Sequence, residues 1–277
     1  MDVMKSDQVI TLPEPPEVLI ELKDSKGDIN LVAQTVAKHE SIAKEVLATI
    51  NAPYFSLVRQ IKNAEEAVRM LGINRVLNLT TGRLLRTTIY SGESKLLKDL
   101  WSTSLKVAVI GVLISKELKI ASTDEVYATS LFHNSGMGLL EESFESYPKV
   151  IKDAYKMEDS NISAHEQDQL GTTHADLGSK LASKWGLSVE ISKAIGLHHS
   201  PEQLVRQIQK GDEVGELLLI LKLSEKIARI PGYLAQSPID HEWEKIKEPI
   251  LDHMTLTEGM FKRFELVIKK QLAGIKN

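Results

Sequence analysis

The sequence predicts an all-α protein. Over most of its 277 residues, apolar side chains recur every three or four positions, as expected for helices that bury one face. Two pairs of residues resemble capping boxes, Asn63 with Glu66 and Ser122 with Glu125, and they mark helix starts. No segment shows the alternation of apolar and polar residues that is typical of a half-buried strand. Together these observations favour a multi-helix bundle.

The first part of the chain is predicted to consist of short helices. The prolines of Leu12-Pro13-Glu14-Pro15-Pro16 disfavour a helix at the start, and Gly27 and Gly72 separate later segments. Apolar spacing then predicts helices near residues 18–22, 30–38, 42–50, 64–71 and 73–90.

The second part carries the longest periodic segment, 95–118. Further helices are predicted after Ser122, over 147–156, after Ser163, over 189–198, after Ser200-Pro201, and over 214–230, 240–253 and 255–273. Ser163 with Glu166 is interpreted as a third capping box. We therefore expect one domain over 12–210, made of an N-terminal part (12–93) and a second part (94–210), with the helices of 211–277 packed on it or extending it.

Composition excludes several classes of protein. The net charge of −4 gives no electrostatic case for binding nucleic acid or an anionic membrane. The absence of cysteine excludes disulfides, thiolate metal sites and cysteine nucleophiles. The N-terminus lacks an apolar signal core, and no uncharged run approaches the roughly 18 residues of a membrane span. We expect a soluble, cytoplasmic protein that contacts neither nucleic acid nor membrane.

The chemistry-bearing residues are histidines. His133 stands beside Asn134 at the end of a helical segment, and His174, His198 and His199 are the downstream histidines able to join them. Their spacing predicts an inward-facing polar pocket. The histidines are either metal ligands or core and helix-end residues, with His199 interacting with a helix C-terminus.

Several short motifs follow one another in the order and spacing of a known family. They are Leu12-Pro13 with Pro16-Glu17-Val18-Leu19, Asn51-Ala52-Pro53-Tyr54-Phe55, Leu71-Gly72, Leu100-Trp101 with Ser104, Leu131-Phe132-His133-Asn134 with Gly136, His174 with Gly178, Trp185-Gly186-Leu187 and His198-His199-Ser200-Pro201. In this respect the chain resembles the HDOD family, the HD-related output domains of bacterial signalling proteins. The resemblance covers roughly residues 12–210 and implies an HD-like helical bundle with an N-terminal subdomain of short helices.

That family is similar in fold to the HD-superfamily phosphohydrolases, whose metal ligands follow the pattern His, His-Asp, Asp. Carried over to this chain, the resemblance puts Thr103 in place of the first histidine, His133-Asn134 in place of His-Asp, and Glu225 in place of the last aspartate. Divalent cations need anionic or imidazole ligands to offset their dehydration. The three replacements therefore disfavour a catalytic dinuclear centre.

The expected pocket residues are Thr103, His133, Asn134, His174, His198 and Glu225, and the metal ligands, if any metal binds, are His133, His174, His198 and His199. Thr103 and Asn134 either line a ligand pocket or pair with each other or with the backbone, because an unpartnered buried polar group costs about 1–3 kcal/mol. We expect no cofactor and no catalytic residue. The alternative is a metal-dependent phosphohydrolase of the phosphodiesterase type, using Mn, Fe, Zn or Mg.

The resemblance favours a non-catalytic regulatory module in bacterial signal transduction. Its partner is expected to be a signalling protein or a nucleotide-like small ligand, and self-association into a homodimer is left open. A run of basic residues, Arg59, Lys62, Arg69, Arg75, Arg83 and Arg86, is interpreted as a solvated helical face, with a phosphate-docking surface as the alternative. Tyr54 and Phe55 are expected to plug into the core, or else to anchor a partner protein.

Overall fold

The computed structural model describes residues 10–51, 59–158, 161–234 and 237–275, which form α-helices and no strand. The all-α prediction is confirmed. The helices are α1 (Glu17–Asp24), α2 (Ile29–Lys38), α3 (Glu40–Ile50), α4 (Ala64–Leu71), α5 (Ile73–Thr88), α6 (Lys95–Leu118), α7 (Thr123–Phe132), α8 (Ser135–Ser143), α9 (Tyr147–Ala154), α10 (Ile162–Leu170), α11 (His174–Lys184), α12 (Val189–Leu197), α13 (Pro201–Lys210), α14 (Glu213–Ala228), α15 (Ile230–Leu234), α16 (His241–His253) and α17 (Glu258–Ile275).

The buried apolar side chains form two clusters. The N-terminal cluster extends from Val18 to Val76 and is built by α1 to α5. The main cluster includes Leu19 of α1 and then extends from Leu85 to Ile268, so it also includes residues of the C-terminal helices. Leu84 of α5 packs against both clusters, and α1 contributes Leu19 to the main cluster and Val18 and Leu22 to the N-terminal cluster. The two clusters therefore share α1 and α5. The domain boundaries expected from the sequence stay a prediction.

Helix α14 lies at the centre of the main cluster. Almost all of its residues are buried, because it packs against α6, α7, α12 and α13 on different sides. A helix that is surrounded on every side must be apolar all round, as the run from Val214 to Ile227 is. Two of the four charged residues inside that run, Lys222 and Glu225, are buried with it, whereas Glu216 and Lys226 are half-buried.

Helix caps account for several boundaries. Asn63 accepts the N–H of Glu66 at 3.0 Å, as the capping pattern predicts. The prediction that Ser163 caps this helix is wrong. Helix α10 begins at Ile162, and its N-cap is Asn161, which accepts the N–H of Ala164 at 2.9 Å. The reason is that Glu166 does not reach back to the helix start, because its side chain is fully buried and bonded elsewhere.

Glycine allows α8 and α11 to approach closely. A Cβ atom on Gly136 would lie 2.0 Å from the carbonyl oxygen of His174. Only a residue without a side chain fits at that position. The close approach brings the His133-Asn134 pair, at the start of α8, next to the start of α11.

Four of the six residues of the predicted basic run pair with carboxylates. Arg59 pairs with Glu66, Arg69 with Glu65 and Arg83 with Glu45. Arg75 bonds Asp124 at 3.0 Å. These pairs favour the solvated-face interpretation over a phosphate-docking surface.

Two aromatic predictions have different outcomes. Trp185 is fully buried and packs edge-on against Phe132, as a core residue should. Trp101 is only half-buried, with its ring 5.9 Å from that of Tyr90. Tyr54 and Phe55 lie outside the described residues.

Within the described part of the chain, none of the helices has the length and apolar content needed to cross a membrane.

Candidate metal centre and its carboxylate network

Four histidines meet where the ends of three helical segments converge. His133 is the C-cap of α7, His174 is the first residue of α11, and His198 is the C-cap of α12, with His199 directly after it. All four are at least 98% buried, since their exposed fractions are 0–2%. The structure therefore brings these four histidines together in the interior.

Three of these histidines have the arrangement of metal ligands. The ligand nitrogens of His174, His198 and His199 lie within 4.8 Å of one another. Their Nδ1 atoms point away from one another, each toward an oxygen: Glu166 at 2.7 Å from His174, the Ile195 carbonyl at 2.6 Å from His198, and Glu242 at 2.8 Å from His199. This outer layer of carboxylates and carbonyls is what orients imidazole ligands in metal sites.

The outer bonds determine the tautomers. A carbonyl or a carboxylate oxygen only accepts, so each Nδ1 carries the proton of the neutral ring and each Nε2 presents a lone pair. Burial lowers the pKa of His198 and His199 well below the ordinary value of histidine, and the charge of Lys222 lowers both further. The rings of His198 and His199 are thus neutral at pH 7. The Nε2 atoms of His174 and His198 are 3.3 Å apart, close enough for a cation or a shared proton to join them.

Glu166 fixes the position of His174. One carboxylate oxygen accepts both the backbone N–H of His174, at 2.9 Å, and its Nδ1. The other accepts the hydroxyl of Tyr147 at 2.7 Å. Burial, followed by the Glu166 charge, raises the pKa of Tyr147 well above its usual value, so this hydroxyl stays a donor. The three hydrogen bonds hold the buried carboxylate of Glu166 in place, and this carboxylate in turn restricts the rotation of the His174 ring.

His133 lies at one end of a second group of ionisable side chains. Its Nδ1 donates to the Ser130 carbonyl at 2.7 Å, and its Nε2 faces Glu225 at 3.3 Å without the geometry of a hydrogen bond. Burial lowers the pKa of His133 to about 4, although the Glu225 carboxylate opposes this shift. A neutral His133 therefore presents a lone pair to a carboxylate oxygen.

Lys222 lies between two carboxylates. Its Nζ is 2.8 Å from Glu225 and 2.8 Å from Glu242. Burial alone would lower the pKa of Lys222, but the two carboxylates raise it above the usual value of lysine. Glu242 also accepts from His199, so it joins the lysine to the three-histidine cluster.

The charge of this network is not balanced from within. Glu166, Glu225 and Glu242 contribute three negative charges and Lys222 one positive charge, which leaves a formal −2 when the histidines are neutral. Both polar atoms of Asn134, the His199 Nε2 and the facing atoms of His133 and Glu225 lack hydrogen-bond partners. Buried polar atoms without partners are costly. A divalent cation at the three histidines would balance the charge and give the His199 Nε2 a partner.

Thr103 does not contribute a free ligand atom. Its hydroxyl donates to the carbonyls of Asp99, at 2.8 Å, and Leu100, at 3.0 Å, within its own helix. Of the two alternatives for Thr103, the structure shows pairing with the backbone. Asn134 pairs neither with Thr103 nor with the backbone. His199 is not a helix-end cation, because its ring is buried and neutral.

Three members of the network were missed by sequence reasoning. Glu166 had been interpreted as a capping residue, and Glu242 lies beyond the motifs of the family. Lys222 had a usable signal, since a charged residue inside an apolar helical run is buried and must be paired. Its i, i+3 spacing to Glu225 indicated the partner.

An open cleft reaches the cluster at His199. Its volume is about 410 Å³, comparable to small-ligand sites. Its lining is polar apart from Pro201 and includes Asn161, Ser200, Glu202 and Lys245. His199 is thus the histidine nearest to an approach from outside.

The fold and the site define an all-α protein of the HD type, with a buried histidine–carboxylate pocket between its helices. The HDOD domain family matches residues 12–201, and the chain belongs to this family. Helix α16, which supplies Glu242, lies beyond the matched region.

Individual relatives are distant. An uncharacterized protein of Treponema pallidum is 24% identical over 208 residues, which cover 70% of this chain but only 39% of that protein. The crystal structure of an HDOD domain protein of unknown function from Geobacter sulfurreducens is similar with a TM-score of 0.70, 20% identity, and coverage of 96% of this chain and 91% of that one. A protein from Shewanella amazonensis, named as a candidate phosphohydrolase, has a TM-score of 0.59, 19% identity, and coverage of 92% and 95%. At such identities the likeness shows the fold.

Proposed function

We propose that this HDOD domain is a regulatory module that binds one divalent transition-metal ion through His174, His198 and His199 and carries out no hydrolysis. The observation that supports the proposal is the convergence of three buried imidazoles, each oriented through its Nδ1, beside a group of three carboxylates and one lysine. Three imidazoles suit Zn, Fe, Ni or Cu better than Mg or Ca. The expectation of no cofactor is therefore revised in this proposal.

The proposal that the domain carries out no hydrolysis rests on the residues beside His133. Hydrolysis by HD-type enzymes is expected to need a carboxylate where this chain has Asn134, whose amide carries no charge. A metal ion held by the three histidines would supply Lewis acidity. Glu166 and Glu242 are each engaged with a histidine, and Glu225 is engaged with Lys222 through one of its oxygens. The pocket holds an ion better than it activates a nucleophile.

Metal content tests the proposal directly. The purified chain is dialysed against Zn²⁺ or Mn²⁺, and bound metal is measured by mass spectrometry. We expect one equivalent for the wild type and none for His198→Gln. The exposed His253 provides the matched control, because His253→Gln removes a histidine without touching the pocket. Absence of metal from the wild type would contradict the proposal.

The alternative is a metal-dependent phosphohydrolase. It is favoured by the cleft at His199, which gives a substrate access to the cluster. Metal-dependent turnover of a phosphodiester by the wild type, lost in His198→Gln and increased by Asn134→Asp, would establish it. We expect no turnover in any of these proteins, even when metal is bound.

The partner in regulation is a signalling protein or a nucleotide-like ligand. The cleft beside His199, with Lys245 in its wall, is the place for a small anionic ligand. Thermal-shift measurements with mononucleotides and cyclic dinucleotides test this, since a ligand at 100 times its Kd stabilises by about 2.7 kcal/mol. A shift in melting temperature that is lost in Lys245→Met supports a small anionic ligand. If no nucleotide shifts the melting temperature, a protein partner is favoured.

A further inference from the structure

We infer that Lys222 is a built-in cation that takes the place of a second metal ion, so that this chain holds one divalent ion where its pocket would otherwise hold two. The inference rests on the proposed metal-binding function. It concerns the groups around Lys222, namely Glu225, Glu242 and His133, and not the three-histidine cluster.

The first argument is the coordination of the ammonium group. Lys222 is 97% buried, with 3% of its surface exposed, and its Nζ lies 2.8 Å from one oxygen of Glu225 and 2.8 Å from one oxygen of Glu242. A buried lysine is tolerated only when it is paired. Here the two paired oxygens come from separate helices, α14 and α16. A protein commonly surrounds a cation with oxygens from separate elements in this way.

The second argument is the ligand chemistry that remains around this position. The other oxygen of Glu225 faces His133 Nε2 at 3.3 Å, and neither atom has a hydrogen-bond partner. A cavity of about 20 Å³ adjoins Lys222, Glu225 and Glu242, enough for one water-sized species. Two carboxylates and one imidazole lone pair are a ligand set for Mn, Fe or Zn.

The third argument is charge. With Lys222 the network has a formal charge of −2, and without it −3, because one positive charge is removed from three carboxylates. One divalent ion brings the first network to neutrality. A second divalent ion would face an ammonium that already occupies both carboxylates, so its affinity should be lower by at least about 100-fold.

Part of this arrangement comes from outside the family match. Glu242 belongs to α16, whereas the match to the HDOD family ends at residue 201. Lys222 and Glu225 of α14 also lie beyond residue 201, so both members of the Lys222–Glu242 pair come from helices C-terminal to the matched region. The metal stoichiometry of this chain is in this way linked to the docking of α16.

The experiment compares metal stoichiometry in three forms of the whole chain. Lys222→Met keeps the length of the side chain and removes its charge, while Lys226→Met removes a lysine one turn further on, which lies over the ring of Trp243 and not in the pocket. Each is titrated with Mn²⁺ in equilibrium dialysis, and bound Mn²⁺ is examined by electron paramagnetic resonance. We expect one Mn²⁺ for the wild type and for Lys226→Met, and two exchange-coupled Mn²⁺ for Lys222→Met.

Two further variants keep the test decisive. Lys222→Gln retains a hydrogen-bonding side chain and replaces Lys222→Met if that protein does not fold. Glu242→Gln added to either variant should return the stoichiometry to one, because it removes a ligand of the second ion. A stoichiometry of two that persists without Glu242 would contradict the assignment of that carboxylate.

The outcomes separate this inference from the proposed function. One ion in both the wild type and the Lys222 variants overturns the role of Lys222 and leaves the three-histidine site in place. Two ions in the wild type also overturn it. No ion in the wild type but one in Lys222→Met supports exclusion by Lys222 and refutes the three-histidine site. No ion in any form refutes both.

Discussion

Gly136 illustrates how one residue positions the pocket. A methyl group there would collide with the backbone of His174, since the added Cβ lies 2.0 Å from a carbonyl oxygen that cannot rotate away. We expect Gly136→Ala to lower the free energy of unfolding by about 3 kcal/mol through overpacking, and to weaken metal binding because α11 moves.

Gly259→Ala is the matched control for Gly136→Ala. Gly259 is also helical, and its added Cβ meets no atom closer than 3.9 Å. Alanine is the better helix former, so this variant should be as stable as the wild type or slightly more stable. Chemical denaturation of both variants makes the comparison, and equal stability would mean that α8 and α11 are not held at the distance described.

Glu166 is the residue on which His174 depends. It accepts three hydrogen bonds, from Tyr147 and from two atoms of His174. Glu166→Gln replaces one acceptor oxygen by a donor, so we expect a loss of about 1–3 kcal/mol in stability and a metal affinity lower by about 10–100-fold. Tyr147→Phe removes a single bond and should have the smaller effect on affinity. Competition dialysis with Zn²⁺ gives both values, and unchanged affinity in Glu166→Gln would argue against its orienting role.

Glu125 makes a pH-dependent contribution far from the histidines. Burial, followed by the hydrogen bond and the charge of Glu213, raises its pKa to about 7. Because the pKa is higher in the folded state than in the unfolded state, the wild type loses stability as the pH rises from about 4.5 to 7. The glutamine of Glu125→Gln does not titrate, so this variant lacks the pH-dependent loss of stability. Its free energy of unfolding, compared with that of the wild type, should therefore increase over that range. Urea denaturation at pH 4.5, 6 and 7.5 tests this, and a difference that is constant with pH would refute it.

At the scale of single residues, sequence reasoning identified the histidines but not their oxygen partners. Histidines were noticeable because they are few and because four lie in motifs of the family. Glu166 and Glu242 were not, since exposed glutamates are common and only tertiary packing brings these two to His174 and His199. Thr103 was matched by its place in the family pattern, yet its hydroxyl bonds its own helix. Residue type and spacing predict which side chains are available, and packing decides which of them face one another.

Helix α16 is the element that closes the pocket. It brings Glu242 to Lys222 and His199, while Trp243 stacks on Phe261 of α17 at 5.2 Å between ring centroids. We expect Trp243→Ala to lower the free energy of unfolding by about 3–5 kcal/mol and to increase hydrogen exchange across α16. Release of α16 would also unpair Lys222 from Glu242.

The control for Trp243→Ala lies on the same helix. His253 is exposed at its end, so His253→Ala should leave both exchange and stability unchanged. If hydrogen exchange in α16 stayed as slow in Trp243→Ala as in the wild type, the helix would have to be held by its other contacts.

Whole helices were predicted better than their ends. The periodicity of 95–118 became α6 over the same residues, because a long amphipathic repeat has few alternatives. The region from Ser163 to Trp185 was interpreted too simply: Gly171, with φ of 74°, ends α10, and Thr173 then caps a separate α11 by accepting the N–H of Asp176. That break makes His174 the first residue of a helix, where its backbone N–H is free to bond Glu166.

The molecule as a whole has two apolar clusters that share α1 and α5, and only one of them contains the pocket. The N-terminal cluster holds Leu22, and the main cluster holds Leu181 of α11, the helix that begins with His174. Both leucines are at most 1% exposed. Truncation of either to alanine should cost about 2–5 kcal/mol, so the two variants are matched in their chemistry and burial.

Their effects on the pocket should differ. We expect Leu181→Ala to weaken metal binding, because a cavity under α11 lets His174 shift from the other two histidines. Leu22→Ala should increase hydrogen exchange in α1 to α4 and leave metal affinity within about twofold of the wild type, since distant sites are commonly independent. A comparable loss of affinity in both variants would show that the N-terminal helices and the pocket respond as one unit, and that α5 transmits changes between the two clusters.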